Sequence, residues 1–279
     1  MPTSRPPRSG FYVALISAPS SPIGPQRWWT RGSTTRSTVP ACELRWGSMP
    51  DLRVQVGVVL PVFNGEAHLA EALQSIAAQT LQPCDVVAVD DCSTDGSVRL
   101  LDSFGARIVH TDRLGQALAR DRGLAEVSGD LIAFLDQDDR WLPHKLDRQV
   151  ARFIAEPDLS FVGALSTVFL GPGTEKPQWW KPAWDTGQPE PSLLPSATLY
   201  RREAFDRVGG FGSAAVTISE DLAWTARAQD LGLRRALVDE VLVQRRIHAD
   251  NTSRDARIRM HEHFSIIRES LNRRRATGG

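Results

Sequence analysis

Residues 54–97 read VQVGVVLPVFNGEAHLAEALQSIAAQTLQPCDVVAVDDCSTDGS. Val54 to Leu60 is an apolar run, and Pro61 to Gly65 is a turn. In Glu66 to Gln79, the residues Leu69, Leu73, Ile76 and Ala77 fall on one helical face. Asp85 to Asp90 is a second apolar strand, closed by a polar loop through Gly96. Strand, helix and strand at this spacing form a βαβ unit, whose crossover sets the two strands parallel. Apolar runs without alternation belong to strands covered on both faces.

The pattern continues outward. Arg107 to His110 reads as a short third strand, Gly115 to Val127 as a helix, and Leu131 to Leu135 as a fourth strand that ends on acids. Further on, Phe161 to Leu170 is strand-like, and Gly171 to Pro195, rich in Pro and Trp, reads as a long loop. Glu203 to Val208 and Glu220 to Leu231 are helices, Arg234 to Ile247 a strand, and Arg254 to Leu271 a terminal helix. The expectation is an α/β domain with a mainly parallel central sheet, helices on both faces and a short C-terminal helical extension. Ligands of such sheets gather where the strands end at their carboxyl edge.

Residues 1–48 differ in kind. Pro, Ser and Thr supply 20 of these 48 positions, and six Arg face a single acid, Glu43. Such a segment cannot bury enough apolar surface to offset its chain entropy. An Arg- and Ser-rich transit peptide and an artefact of start-codon choice ahead of Met49 both fit it. The chain therefore divides into a disordered segment 1–49, a domain 50–253, and a helix and tail 254–279.

Composition narrows the class. A formal net charge of +0 offers no electrostatic case for nucleic acid or an anionic membrane as the main partner. Cys42, Cys84 and Cys92 have no paired spacing, which reads as reduced thiols in a cytoplasmic setting, with peripheral membrane association left open. No stretch approaches the roughly 18 apolar residues of a membrane span.

Chemistry concentrates at strand and helix ends. The acids Asp90 and Asp91 close the second strand, Asp136, Asp138 and Asp139 close the fourth, and Glu220 and Asp221 open a helix. Like charges about 4 Å apart cost on the order of 4 kcal/mol per pair at an effective dielectric near 20. A divalent cation, Mn2+ or Mg2+, removes that cost through hard oxygen ligands, whereas a solvated acidic turn merely bears it.

The chain resembles the family-2 glycosyltransferases, which have the GT-A, Rossmann-like α/β/α sandwich fold. Six blocks carry the resemblance in order: VVLPVFNGEAHLAEALQSIAAQT (58–80), VVAVDDCSTDGS (86–97), GQALARDRGLAEVSGDLIAFLDQDD (115–139), SATLYRREAFDRVGGF (196–211), SEDLAWTARAQDLG (219–232) and RIHADNTS (246–253). The resemblance implies a nucleotide-diphospho-sugar donor with UDP as the expected nucleotide, a metal-assisted inverting transfer, and an acceptor that is a glycan, lipid, peptide or small metabolite. It implies that Pro61 and Phe63 wall the nucleobase pocket, that Asp91 meets the base with Asp90 beside it, and that Arg120 lies near the diphosphate. Asp136-Gln137-Asp138 is similar to the family's DxD metal signature. Asp138 or Asp139 would then meet the metal, and the neighbouring acid would meet ribose or sugar hydroxyls. His248 would meet diphosphate or metal, and Asp221 would be the general base, with Glu220 as the next candidate.

The sequence also departs from the pattern. Asp121 stands where the family has Asn, which sets a negative charge beside a phosphate site. Arg245 replaces an aromatic residue, and the Q-x-x-R-W motif of processive synthases is absent. A non-processive soluble enzyme fits best. One rival is a sugar nucleotidyltransferase, which calls for a basic, Gly-rich loop after the first strand; Pro61 to Gly65 holds no Lys or Arg. The other is a non-catalytic sugar-nucleotide-binding protein, which calls for lost carboxylates, and all are present. Trp179, Trp180 and Trp184 either line an acceptor site or pack on their own domain. Asn251-Thr252-Ser253 matches a glycosylation acceptor, and His261 and His263 read as solvated.

Overall fold

The computed structural model describes residues 54–213, 216, 218–248, 251 and 256–276. The disordered segment expected at 1–49 lies outside the described residues. Among the described residues nine strands join one sheet: β1 (Val56–Val62), β2 (Asp85–Asp90), β3 (Arg107–His110), β4 (Leu131–Phe134), β5 (Arg140–Trp141), β6 (Phe161–Leu170), β7 (Glu190–Ser192), β8 (Leu199–Arg201) and β9 (Arg235–Ile247). The helices are α1 (Leu69–Ala77), α2 (Ser97–Phe104), α3 (Gln116–Glu126), α4 (Lys145–Ala155), α5 (Arg202–Val208), α6 (Glu220–Asp230) and α7 (Ala256–Ala276).

β1 explains the layering. Its side chains alternate across the pleat. Val56, Val58, Leu60 and Val62 enter one core with α1, α2 and α4, whereas Val59 enters the other with α3, α5 and α6. The second core is aromatic: Phe134, Tyr200, Phe205, Phe211 and Trp224 meet at ring distances of 5.0–6.1 Å. Gly123 lets α3 approach the sheet, since a Cβ there would stand 2.3 Å from a Val59 methyl.

The sheet order is β3-β2-β1-β4-β8-β6-β9-β5, with β7 beside β6. β3, β2, β1 and β4 run parallel, as the βαβ spacing requires. Beyond β4 the pairing is mixed: β8 is antiparallel to β4 and β6, and β9 is parallel to β6. β8 enters after the long 171–195 excursion instead of a helical crossover, so nothing forces it parallel. β1 pairs with β2 on one side and with β4, which the chain reaches only after β3 and α3, on the other. The carboxyl ends of β1 and β4 thus open a crevice.

Two helices escape the periodicity reading. α2 is eight residues long and buries only Ser97 and Leu101, too little to show a period. α4 turns Lys145, Leu146, Gln149, Val150 and Phe153 inward, and its two polar members hide the stripe. Lys145 is fully buried; its Nζ donates to Gln149 Oε1 at 2.8 Å and lies 4.3 Å from the Trp141 ring centroid.

Burial pushes the Lys145 ammonium down to about 7 from its ordinary 10.5. Between those values the unfolded chain binds a proton that the folded chain has released, so stability rises with pH in that window. Measured against Lys145→Met by urea unfolding, wild type should gain stability from pH 7 to pH 10. A difference that stays flat across that range rejects the shift.

α7 packs on α6. Asp230 accepts hydrogen bonds from Ser270 Oγ, Arg273 Nε and Arg274 Nε at 2.7, 2.9 and 2.7 Å. Among the described residues no helix is long and apolar enough to cross a membrane, and Cys84 and Cys92 are free thiols.

Candidate active site

Two loops at the crevice are laced before any ligand arrives. Asn64 takes a left-handed conformation at φ 48°, which Asn tolerates better than most side chains. Its Oδ1 accepts Thr94 N–H at 2.8 Å. Gly65 N–H donates to Ser97 Oγ at 2.8 Å, Glu66 N–H to Asp95 Oδ2 at 3.0 Å, and Gly96 N–H to Glu66 Oε2 at 2.8 Å. The β1–α1 and β2–α2 connections therefore form one rigid lip.

The crevice is a cleft of about 810 Å³ lined by Pro61, Phe63, Asp91, Arg120, Asp136, Asp138, Asp139, Glu220, Asp221 and His248, among others. It thus gathers all the predicted site residues but one. Asp90 does not line it. Its Oδ1 accepts Ser93 N–H at 3.2 Å, and its Oδ2 lies 3.0 Å from His110 Nδ1, so it serves the β2–β3 edge.

Phe63 forms one wall. Its N–H donates to Gln137 Oε1 at 2.8 Å and its C=O accepts from Gln137 Nε2 at 2.9 Å. The Arg113 guanidinium stacks 3.9 Å above its ring. Asp91 directs its carboxylate inward: Oδ1 accepts Thr111 Oγ1 and Leu114 N–H, and Oδ2 accepts Gly115 N–H, each at 2.7 Å. Burial pushes this acid up, but those donors outweigh it and hold it below its usual value. Asp91 fixes the turn that starts α3.

Arg120 is 2 % exposed and sits beneath the cleft. Its Nη1 donates to Glu220 Oε1 and its Nη2 to Asp136 Oδ1, both at 2.5 Å. One guanidinium thus ties α3, the end of β4 and the start of α6. Asp121, which from sequence sets a charge near the phosphates, points elsewhere. Its carboxylate accepts Phe211 N–H at 2.7 Å and Gly212 N–H at 2.8 Å, closing the turn after α5.

The acids after β4 have separate partners. Asp138 Oδ2 lies 2.9 Å from His248 Nε2 and accepts Asn251 Nδ2 at 3.0 Å. Asp139 is buried, and its Oδ1 accepts Arg246 N–H at 3.1 Å. Burial, with Asp138 and Asp136 close by, pushes Asp139 well above its usual value. The His68 ring lies 5.0 Å from that of His248, tilted by 57°, and burial followed by Arg246 and His248 lowers its pKa. Among the described residues no group of three or more His, Cys, Asp and Glu forms a ready metal site.

Asp221 is partly buried at the α6 N-terminus, where its Oδ1 accepts Leu222 N–H at 2.7 Å. Burial raises its pKa above the usual aspartate value, against the Leu222 amide, Arg120 and Arg245. It also lines a second cavity of about 420 Å³ with Trp184, Glu190, Gln229, Arg235 and Arg245. In the Trp-rich loop, Trp184 walls this cavity, while Trp179 and Trp180 pack edge-on against it at 6.0 and 5.2 Å, which is the packing on its own domain that the sequence offered as one reading.

His68, Gln137, Arg113 and Asn251 escaped the sequence reading. Gln137 lay within the acidic signature, and Asn251 was hidden inside a glycosylation-like triplet. His68 and Arg113 left no signal, because loop packing brings them in.

Comparison with known proteins follows the same outline. A family model described as glycosyl transferase family 2 matches residues 57–209. A Bacillus subtilis candidate teichuronic acid biosynthesis glycosyltransferase, TuaG, is 30 % identical over 119 residues, 40 % of this chain and 47 % of that protein. The chain thus spans about half the length of this curated relative. Among solved structures, S. aureus TarS 1–349 in complex with UDP-GlcNAc aligns with a TM-score of 0.58 at 20 % identity, covering 78 % of this chain and 66 % of that one. Mannosyltransferase PcManGT from Pyrobaculum calidifontis, in complex with GDP-Man and Mn2+, aligns with a TM-score of 0.57 at 18 % identity, covering 78 % and 64 %. At these identities the likeness is one of fold.

Proposed function

The chain belongs to glycosyltransferase family 2, and from that premise we propose that it moves a sugar from a nucleotide-diphospho-sugar, with UDP as the expected nucleotide, to an acceptor hydroxyl with inversion. One observation carries this reading. Asp221 stands on the wall shared by the cleft of Phe63, Asp136, Asp138 and His248 and the smaller cavity of Trp184 and Arg235. Donor and acceptor would meet at a single carboxylate.

In this reading the nucleobase lies on Phe63, stiffened by Gln137 and Arg113. The acceptor enters along Trp184. Asp221 takes the proton from the acceptor hydroxyl as its oxygen attacks the anomeric carbon. The bond from that carbon to the diphosphate breaks, and its electron pair leaves on the nucleotide diphosphate. The raised pKa of Asp221 suits a base, since basicity grows with desolvation. With the Leu222 amide on Oδ1, Oδ2 is the oxygen assigned to the proton. Attack is direct, so no second carboxylate nucleophile is required.

Asp138 and His248 fit a divalent cation. They form an oxygen and nitrogen donor pair already 2.9 Å apart at the cleft, and magnesium or manganese takes its remaining ligands from phosphate and water. Such a cation supplies charge neutralisation for the leaving diphosphate. Asp139 has a different role, since its bond to the Arg246 amide braces the loop against β9. Arg120 holds Asp136 and Glu220 in place and does not reach for the diphosphate.

Calorimetric titration with UDP-, GDP- and dTDP-sugars, with and without manganese, tests the reading. The donor should bind more tightly with the metal. Asp138→Asn should remove most of that metal-dependent gain, at least the roughly 10- to 100-fold that losing even a group behind a metal's ligands typically costs. The melting temperature should stay unchanged. An unaltered manganese effect in the variant rejects the metal assignment. No binding of any sugar nucleotide by wild type rejects the function.

A further inference from the structure

α7 presents two unlike faces. Glu262 and Ile266, each 5 % exposed, lie on the side toward α6, where Glu262 also accepts Ile218 N–H at 3.2 Å. On the opposite side stand Met260, Phe264, Ile267 and Leu271, exposed to 60, 65, 56 and 49 %. Their spacings of four, three and four residues align them on one stripe of a helix with about 3.6 residues per turn. Single exposed apolar side chains are ordinary on a protein surface, but four in register over three turns form a patch with a use.

Charge selects what covers it. The stripe is bordered by His261, His263, Arg268 and Arg275, all exposed. Of the helix's two acids, Glu262 is buried toward α6, and Glu269, seven residues on and so on the same side of the helix, is exposed and pairs with Arg273 within the helix. The outward half of α7 therefore carries apolar and basic groups without a carboxylate. Were a second copy to cover the stripe, Arg268 and Arg275 of both helices would crowd along the seam with no acid to pair them, the reverse of the usual flanking charge pattern of paired helices. An anionic lipid surface satisfies both parts: acyl chains take the apolar stripe, and headgroup phosphates take the arginines.

We propose that α7 is a docking helix that lies in the plane of an anionic membrane surface. The site would then lie near that surface, because Ile218, bonded to Glu262 of α7, lines the cleft alongside His248 and Asn251. The inference rests on α7 alone and stands whether or not the chain transfers a sugar.

Flotation of the full chain with vesicles tests it. Binding to phosphatidylcholine vesicles containing about 30 % phosphatidylglycerol should exceed binding to pure phosphatidylcholine by roughly tenfold or more, and should weaken at about 0.5 M salt. Phe264→Glu/Ile267→Glu should abolish flotation at an unchanged melting temperature. Arg268→Glu/Arg275→Glu keeps the apolar stripe and should lose the preference for anionic lipid. Equal flotation on both vesicle types overturns the proposal, as does full binding by the Phe264/Ile267 variant. A lipid-free wild-type dimer that this variant splits would assign the face to a second copy.

Discussion

Asp221→Asn should transfer sugar about 10²- to 10⁴-fold more slowly than wild type, the usual cost of removing a general base, while binding the nucleotide-sugar donor as before. The substitution keeps the shape and most of the hydrogen bonding, including the oxygen that accepts Leu222 N–H at 2.7 Å. It removes only the capacity to take a proton at neutral pH. A base acts in the transition state, so the loss falls on turnover and leaves ground-state donor affinity intact.

A competing role is visible in the same contact. Asp221 sits in the first turn of α6, and a carboxylate there stabilises the free amides of a helix start. If that were its whole purpose, the variant would lose about 1 kcal/mol of stability and keep its turnover. Transfer rate, donor affinity and melting temperature of one variant separate the two. The pH profile adds a third readout. Because burial raises Asp221, the acid limb of wild-type turnover should stand above the usual aspartate range, with activity lost as pH falls through it. That limb should vanish in Asp221→Asn. Normal transfer with a lowered melting temperature would hand the position to the helix cap.

The fold was legible where physics is local. β2, β3 and β6 begin and end at the predicted residues, and for β2 the reason is that a strand buried on both faces needs an unbroken apolar stretch. α4 was not legible, because a buried Lys145 and Gln149 occupy core positions where periodicity leads one to expect Leu. In the site, the acids at chain ends were legible as a group, since a strand running into carboxylates is unusual on its own. Their division of labour was not. Nothing in D-Q-D-D tells which aspartate meets His248 and which meets the Arg246 amide; β9, about a hundred residues later, decides it. The charge of Asp121 beside Arg120 looked like a conflict. Successive residues of a helix point about 100° apart, so Asp121 reaches the turn after α5 while Arg120 reaches the cleft floor.

Arg120→Met should destabilise the protein by about 3–5 kcal/mol, as is typical when one member of a buried ionic group is removed. The methionine replaces most of the volume, so little of this arises from packing. The cost comes from Asp136 and Glu220, which lose the guanidinium that bridges them at 2.5 Å on each side. Burial already pushes Glu220 upward against the pull of Arg120. Without the arginine only a backbone hydrogen bond opposes that upward push, and a raised carboxylate contributes stability only while it is protonated. The deficit of the variant should therefore be smaller near pH 5 and grow as pH rises towards 8. Arg120→Lys keeps a charge but lacks the two-pronged fork, so it should recover part of the loss at most. Urea unfolding at several pH values measures all of this. A deficit below about 1 kcal/mol, the worth of an exposed ion pair, would mean that Asp136 and Glu220 find other partners or water. A deficit independent of pH would place its origin in packing and remove Arg120 from the frame that holds the cleft floor.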